Sequence, residues 1–304
     1  MKVFPLISLS LHPIIVFQRG TAMDEQSILI PGGVELHSVY QAPDAANDRH
    51  AGIVFIHGWS GYGIGPHRMF INAARRLTAD GFHCVRLDLR GRGDSLGDER
   101  TADLDGMIDD TLSAVHLLRE RGVQDVYVLG ICSGGNVSLG AASLDKSLAG
   151  LVLWSTPLFA PYKARTEELR RTGFFLAEYV RKAFRRETWA KLAAGAINFR
   201  IIIRILLGKG RGSPAPKSQR NPKDSLRDIM TELKGFPGRM IFIYGSADDE
   251  AAGAPEFYRQ YCQQNAIPAV FHTVQGANHS YYSIDWEREA IDKTVNWLKA
   301  NDER

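Results

Sequence analysis

From Ser27 onward, short runs rich in β-branched and aromatic residues alternate with longer amphipathic segments. Apolar runs of roughly four to eight residues suit strands covered on both faces, and the longer segments suit helices packed against them. SILI and VELHSVY flank Pro31-Gly32-Gly33, a turn-forming sequence, and predict an opening hairpin. The strand AGIVFIHGW comes next, then a helix over about His67–Asp80, the strand FHCVRLDLR, a helix near Leu104–Arg121 and the strand VQDVYVLG. A helix after Cys132 leads to the strand LAGLVLWSTP, and the regularity then breaks for about 75 residues until RMIFIYG. FHTVQGANH and a helix from about Asp285 to Asn301 close the pattern, with Ile291, Val295, Trp297 and Leu298 as the helix's apolar contacts. Such βα units in series predict an α/β fold, a mostly parallel sheet with helices on both faces and one insertion.

Length fits this reading, since 304 residues can form one core carrying an inserted lid. The expected organisation is an N-terminal extension over residues 1–22, a core over 23–157 and 236–304, and a basic helical lid over 158–235. The run Met1 to Phe17 is apolar but broken by Pro5, His12 and Pro13, and it is shorter than the ~20 residues a spanning helix needs. A signal peptide is an alternative to a simple extension, with Met23 as a natural start.

The net charge of +3 hides an asymmetry. Residues 162–223 hold 16 Lys/Arg against 4 Glu, leaving the remainder of the chain acidic. A basic element on an acidic body points to an anionic surface or substrate, and no motif that reads nucleic acid accompanies it. Three scattered cysteines, Cys84, Cys132 and Cys262, exclude a disulfide framework and give no zinc spacing. A cytoplasmic protein without metal or cofactor is expected, peripheral at the inner membrane surface if the basic lid docks there.

The segment VYVLGICSGG runs a strand into Gly130-Ile131-Cys132-Ser133-Gly134-Gly135 and then into a helix of small residues. Glycines two before and two after a nucleophile let a sharp strand-to-helix turn lift it above the sheet while backbone passes close by. In that register Cys132 is the nucleophile, Gly130 and Gly134 are the elbow glycines, and Ser133 follows. Taking Ser133 as nucleophile would put Ile131 where the first glycine belongs. A thiol at a helix N-terminus beside a histidine is readily ionised. The alternative is a small buried cysteine that only packs.

A base is expected after the last strand, where FHTVQGANHS carries His279, and an orienting acid after the strand before it, where RMIFIYGSADDE carries Asp248. Asp249 and Glu250 are reserve acids. His37, His50, His83, His116 and His272 fall in strands, helices or surface segments. Upstream, IVFIHGWSGYG offers the Trp59 amide, which with the Ser133 amide could hold a tetrahedral oxyanion; His57, Asp88 and Gly91 read as architecture.

These four ordered motifs, over residues 53–279, resemble the α/β-hydrolase superfamily, and the order nucleophile, acid, histidine is the one that superfamily uses. The cysteine elbow resembles that of dienelactone hydrolases, which are shorter and lack a long basic insertion. FFLAEYVRKAFRRETWAKLAAGAINFRIIIRILLG resembles the lids of bacterial hydrolases of exosortase and exopolysaccharide loci, although GICSGG departs from the Gly-Leu-Cys-Asp-Gly form associated with that group. The resemblance implies hydrolysis or acyl transfer accompanying surface-polysaccharide assembly, with no agreed substrate, and the triad itself suits hydrolysis of an ester, thioester or similar acyl bond on a small-molecule or lipid-linked substrate. The rivals are acyl transfer in surface-polysaccharide or lipid assembly and a catalytically silent binding protein of the same fold. Within the insertion, Arg200 and Arg204 share a helix face among Phe199, Ile201, Ile202 and Ile203, which could roof the site or dock on an anionic bilayer.

Overall fold

The computed structural model describes residues 25–31, 33–100, 102–159, 221 and 223–302. The expected extension and nearly all of the basic insertion, including Arg181, Lys182, Arg185, Arg186, Arg200 and Arg204, lie outside the described residues. The chain divides into two compact units, one of residues 1–157 and 226–304, the other of 158–225. The first carries every strand and helix named below.

Eight strands form one sheet: β1 (Glu25–Ile30), β2 (Leu36–Gln41), β3 (Ala51–Ile56), β4 (His83–Leu87), β5 (Asp125–Ile131), β6 (Gly150–Trp154), β7 (Arg239–Gly245) and β8 (Ala269–Val274). Their order is β1-β2-β4-β3-β5-β6-β7-β8. The hairpin β1–β2 is antiparallel, β2 also runs antiparallel to β4, and all other neighbours are parallel. Strands β3, β4 and β6 are buried at every position, which is why β3 and β6 read as continuous apolar runs and not as alternation, while β4 also buries His83 and Arg86. The edge strand β8 is largely part-exposed.

Six helices accompany the strands among the described residues: α1 (Met69–Ala79), α2 (Leu104–Glu120), α3 (Ser133–Leu144), α4 (Ile229–Glu232), α5 (Ala254–Gln264) and α6 (Ile284–Asp302). Helix α1 buries Met69, Phe70, Ala73, Ala74 and Leu77, the three-to-four spacing of one helix face. Helix α2 starts where the Asp103 carboxylate accepts the Gly106 N–H, a side-chain cap for an otherwise unpaired donor. On one face of the sheet α1 and α6 share a core with Ile53, Phe55, Leu129, Val152, Trp154 and Ile243. Gly52, which alternates with Ile53 along β3, meets Leu118 of α2 on the other.

Of the contacts expected of α6, Ile291, Val295 and Leu298 are buried, and Trp297 stands edge-on to Tyr127 with ring centroids 6.0 Å apart. The hydrophobic pattern gave no expectation for α5, whose buried residues are only Ala254, Tyr258 and Cys262. Helix α4 lies ahead of the core boundary read at residue 236. Its Ile229 and Met230 are buried, and Lys146 Nζ donates to the Glu232 carbonyl at 2.6 Å. No helix among the described residues is long and apolar enough to cross a membrane.

Candidate active site

Strand β5 ends at Ile131, and Cys132 takes φ 56° and ψ −131° before α3 begins. An L residue rarely adopts that conformation, which costs on the order of 1–3 kcal/mol and persists only where surrounding structure enforces it. The enforcement is visible. The Cys132 N–H donates to the Trp154 carbonyl at 2.9 Å, and the Cys132 carbonyl accepts the Gly135 N–H at 2.9 Å. A Cβ at Gly130 would collide with the Gly134 carbonyl and the Ser138 hydroxyl; one at Gly134 would collide with the Ile56 and His57 carbonyls. The register read from the glycines is therefore a steric requirement of three crossing backbones.

Cys84 and Cys262 are buried, and burial pushes both thiols up to about 12. Cys132 is only partly buried.

Strand β7 delivers Asp248 and β8 delivers His279. The two loops meet at Gly245, where a Cβ would run into the Ala277 carbonyl and crowd that of Asn278. His279 Nδ1 lies 2.8 Å from Asp248 Oδ1, which also accepts the Ala251 N–H at 3.1 Å. The acid on Nδ1 is thus Asp248, whose side chain is 1% exposed. Glu250, one of the reserve acids, instead brings Oε2 to 3.7 Å from His279 Nε2. Cys132 Sγ, a ring nitrogen of His279 and a carboxylate oxygen of Glu250 all lie within 4.8 Å of one another. Nε2 is buried and has no hydrogen-bond partner, so its interaction with the sulfur is one of proximity. Burial opposes a charge on His279, yet the bond to Asp248 and the nearby sulfur of Cys132 outweigh it and push the imidazole up to about 10.

The loop after β3 is organised differently. His57 is buried; its Nδ1 lies 2.7 Å from the Gly58 carbonyl and its Nε2 3.1 Å from the Leu89 amide, so the ring donates at Nδ1 and accepts at Nε2. Burial holds it down to about 4, and it stays neutral. Asp88 accepts the Gly63 and Asp94 amides and pairs with His37, fixing the loop around Gly91. Both residues are architectural by their contacts.

The Trp59 N–H faces the elbow, where it donates to Ser133 Oγ at 2.7 Å. To receive an oxyanion this amide must first lose the Ser133 hydroxyl. Sequence reasoning assigned Ser133 only through its amide and missed this bond. It also missed Arg92, whose Nε donates to the Trp59 carbonyl and whose guanidinium lies 4.8 Å from the indole centroid. A third arginine in RLDLRGRGDS was the available signal; for the hydroxyl there was only a small polar residue after the cysteine.

Among the described residues, two groups could gather around a metal ion: Cys132, Glu250 and His279, and His37, Asp88 and Asp94. In the second, Asp88 is already committed to backbone amides.

The model of the alpha/beta hydrolase family matches residues 53–290. The lysophosphatidylserine lipase ABHD12 of Mus musculus is 35% identical over 96 residues, 31% of this chain and 23% of that protein, so the match spans under a quarter of the relative. Among solved structures, Est1E from Butyrivibrio proteoclasticus with ferulic acid bound gives a TM-score of 0.61 at 15% identity, over 91% of this chain and 100% of that one. A dienelactone hydrolase from Anabaena variabilis gives 0.58 at 13% identity, over 91% and 98%. At such identities these two likenesses concern the fold. The family match runs from within β3 into α6 and takes in the elbow and both loops that meet it, and the chain belongs to the alpha/beta hydrolase family.

Proposed function

We propose that the protein hydrolyses an ester, thioester or similarly activated acyl bond through a covalent intermediate on Cys132. One observation carries this reading: a cysteine held in a strained elbow conformation stands beside His279, whose far nitrogen is fixed at 2.8 Å by Asp248. His279 Nε2 takes the thiol proton, and Sγ attacks the carbonyl carbon. The amides of Trp59 and Ser133 hold the oxyanion once the Ser133 hydroxyl has turned away from Trp59. Collapse expels the leaving alcohol or thiol with the proton from Nε2. Water, deprotonated by the same nitrogen, then attacks the thioester, and the acid departs as Sγ is restored.

The description of the partly matched ABHD12 as a lipase supports ester chemistry. The excess of Lys/Arg over residues 162–223 suits an acidic or lipid-linked acyl substrate. Turnover of aryl esters and acyl thioesters by the parent protein and by Cys132→Ala tests the proposal. Loss of turnover with the cysteine is expected; unchanged turnover would sink it.

A further inference from the structure

Beyond its hydrolytic role, we infer that Cys132, His279 and Glu250 form a reversible inhibitory site for a borderline-soft divalent cation of the zinc type. The inference takes the pairing of Cys132 with His279 from the function proposed above. It adds Glu250, which that mechanism does not use.

Three observations converge. The donor set is a thiolate, an imidazole nitrogen and a carboxylate, the combination zinc prefers and hard cations such as magnesium do not. The three donor atoms lie within 4.8 Å of one another, with 3.7 Å between His279 Nε2 and Glu250 Oε2. Tetrahedral coordination with ordinary zinc bond lengths places such atoms about 3.3–3.7 Å apart, so a modest contraction completes the set. Glu250 can supply it, because its side chain is 71% exposed and is not packed in place.

The histidine is already prepared for a metal. Nδ1 is bound to the buried carboxylate of Asp248, so Nε2 is the ring nitrogen that a cation can take, in exchange for the proton it holds as an imidazolium. A carboxylate behind a ligating imidazole is the arrangement that orients zinc-bound histidines. Nε2 is itself buried without a hydrogen-bond partner, so binding a cation there displaces no existing bond. Three protein ligands leave a fourth position for water.

Binding releases one proton to solvent, from the thiol or from Nε2, and converts Sγ and Nε2 from an attacking pair into two ligands of one ion. The nucleophile and the base are then silenced together, and chelation restores them.

The test uses the full chain and zinc itself. A chromophoric chelator competes for zinc with the parent protein, with Glu250→Gln, and with Glu256→Gln as a surface-carboxylate control. In parallel, the alkylation rate of Cys132 by iodoacetamide is followed by peptide mass spectrometry with and without zinc. Expected are one zinc per chain, slower alkylation of Cys132 that chelator reverses, no such effect from magnesium, and affinity weakened about tenfold or more in Glu250→Gln but not in Glu256→Gln. Unprotected Cys132, or a Glu250→Gln protein that binds zinc like the parent, would overturn the inference. Neither readout needs a substrate. Absent turnover in zinc-free enzyme therefore counts against the hydrolase reading, whereas absent zinc binding in an active enzyme counts only against this site.

Discussion

Two histidines stand in loops beside the elbow, one after β3 and one after β8, and the fold treats them in opposite ways. His57 is surrounded by backbone, giving a hydrogen bond to one carbonyl and taking one from an amide, and burial holds it neutral at about 4. His279 is also largely buried, yet the Asp248 carboxylate behind it and the Cys132 sulfur before it push it up to about 10. Burial alone does not decide a histidine's charge. The partner does: a carbonyl and an amide fix a tautomer, while a carboxylate sustains an imidazolium.

The sharpest way to break this contrast is to remove the carboxylate. Asp248→Asn keeps the shape but can no longer sustain the charge, and kcat should fall roughly 10²–10⁴-fold, as for other amide-for-acid changes in such triads. A fall below tenfold would mean that Asp248 is not the group that supports His279 in the reaction.

Next in size are the opposite pH signatures of the two rings. Burial lowers the folded pKa of His57 from 6.5 to about 4, so charging this ring costs the folded state, and stability falls by about 3 kcal/mol as pH drops from 6.5 through 4. His279 is raised from 6.5 to about 10, so its contribution is full below pH 6.5 and disappears as pH rises through 10. In denaturant titrations His57→Gln should therefore escape the parent's loss of stability between pH 6.5 and 4, whereas His279→Gln should lack the parent's decline between pH 6.5 and 10. Parallel profiles would contradict the assignment.

The smallest effect concerns Ser133. If its hydroxyl only occupies the Trp59 amide at rest, Ser133→Ala frees that amide, and kcat/KM should rise by up to about fivefold, the worth of roughly 1 kcal/mol of competing hydrogen bond. A tenfold fall would instead make the hydroxyl a participant in the reaction.

Much of this was legible in the sequence because it is local. The apolar runs of β3 to β7 exposed the sheet, and the glycines at 130 and 134 exposed the elbow, since only hydrogen fits where three backbones cross. Asp248 and His279 could be read from their places after β7 and β8. What the sequence concealed depends on contacts between distant residues. The Ser133 hydroxyl meets Trp59 across 74 positions, a matter of rotamer and loop path that no spacing encodes. Arg92 meets Trp59 through a hydrogen bond from Nε to its carbonyl and a guanidinium over its indole, contacts that its charge does not encode. Helix α5 escaped because Tyr258 and Cys262 supply most of its buried stripe, and neither marks a helix strongly.

The central claim is that Cys132 carries the acyl group, and one measurement addresses it directly. An aryl acetate is turned over by the parent protein and by Asp248→Asn, quenched in acid within the first turnovers, digested and analysed by peptide mass spectrometry. The account predicts an added acetyl group on Cys132 that disappears once substrate is exhausted and is missing from Cys132→Ala. An acetyl group on Ser133, or continued turnover by Cys132→Ala, would contradict it.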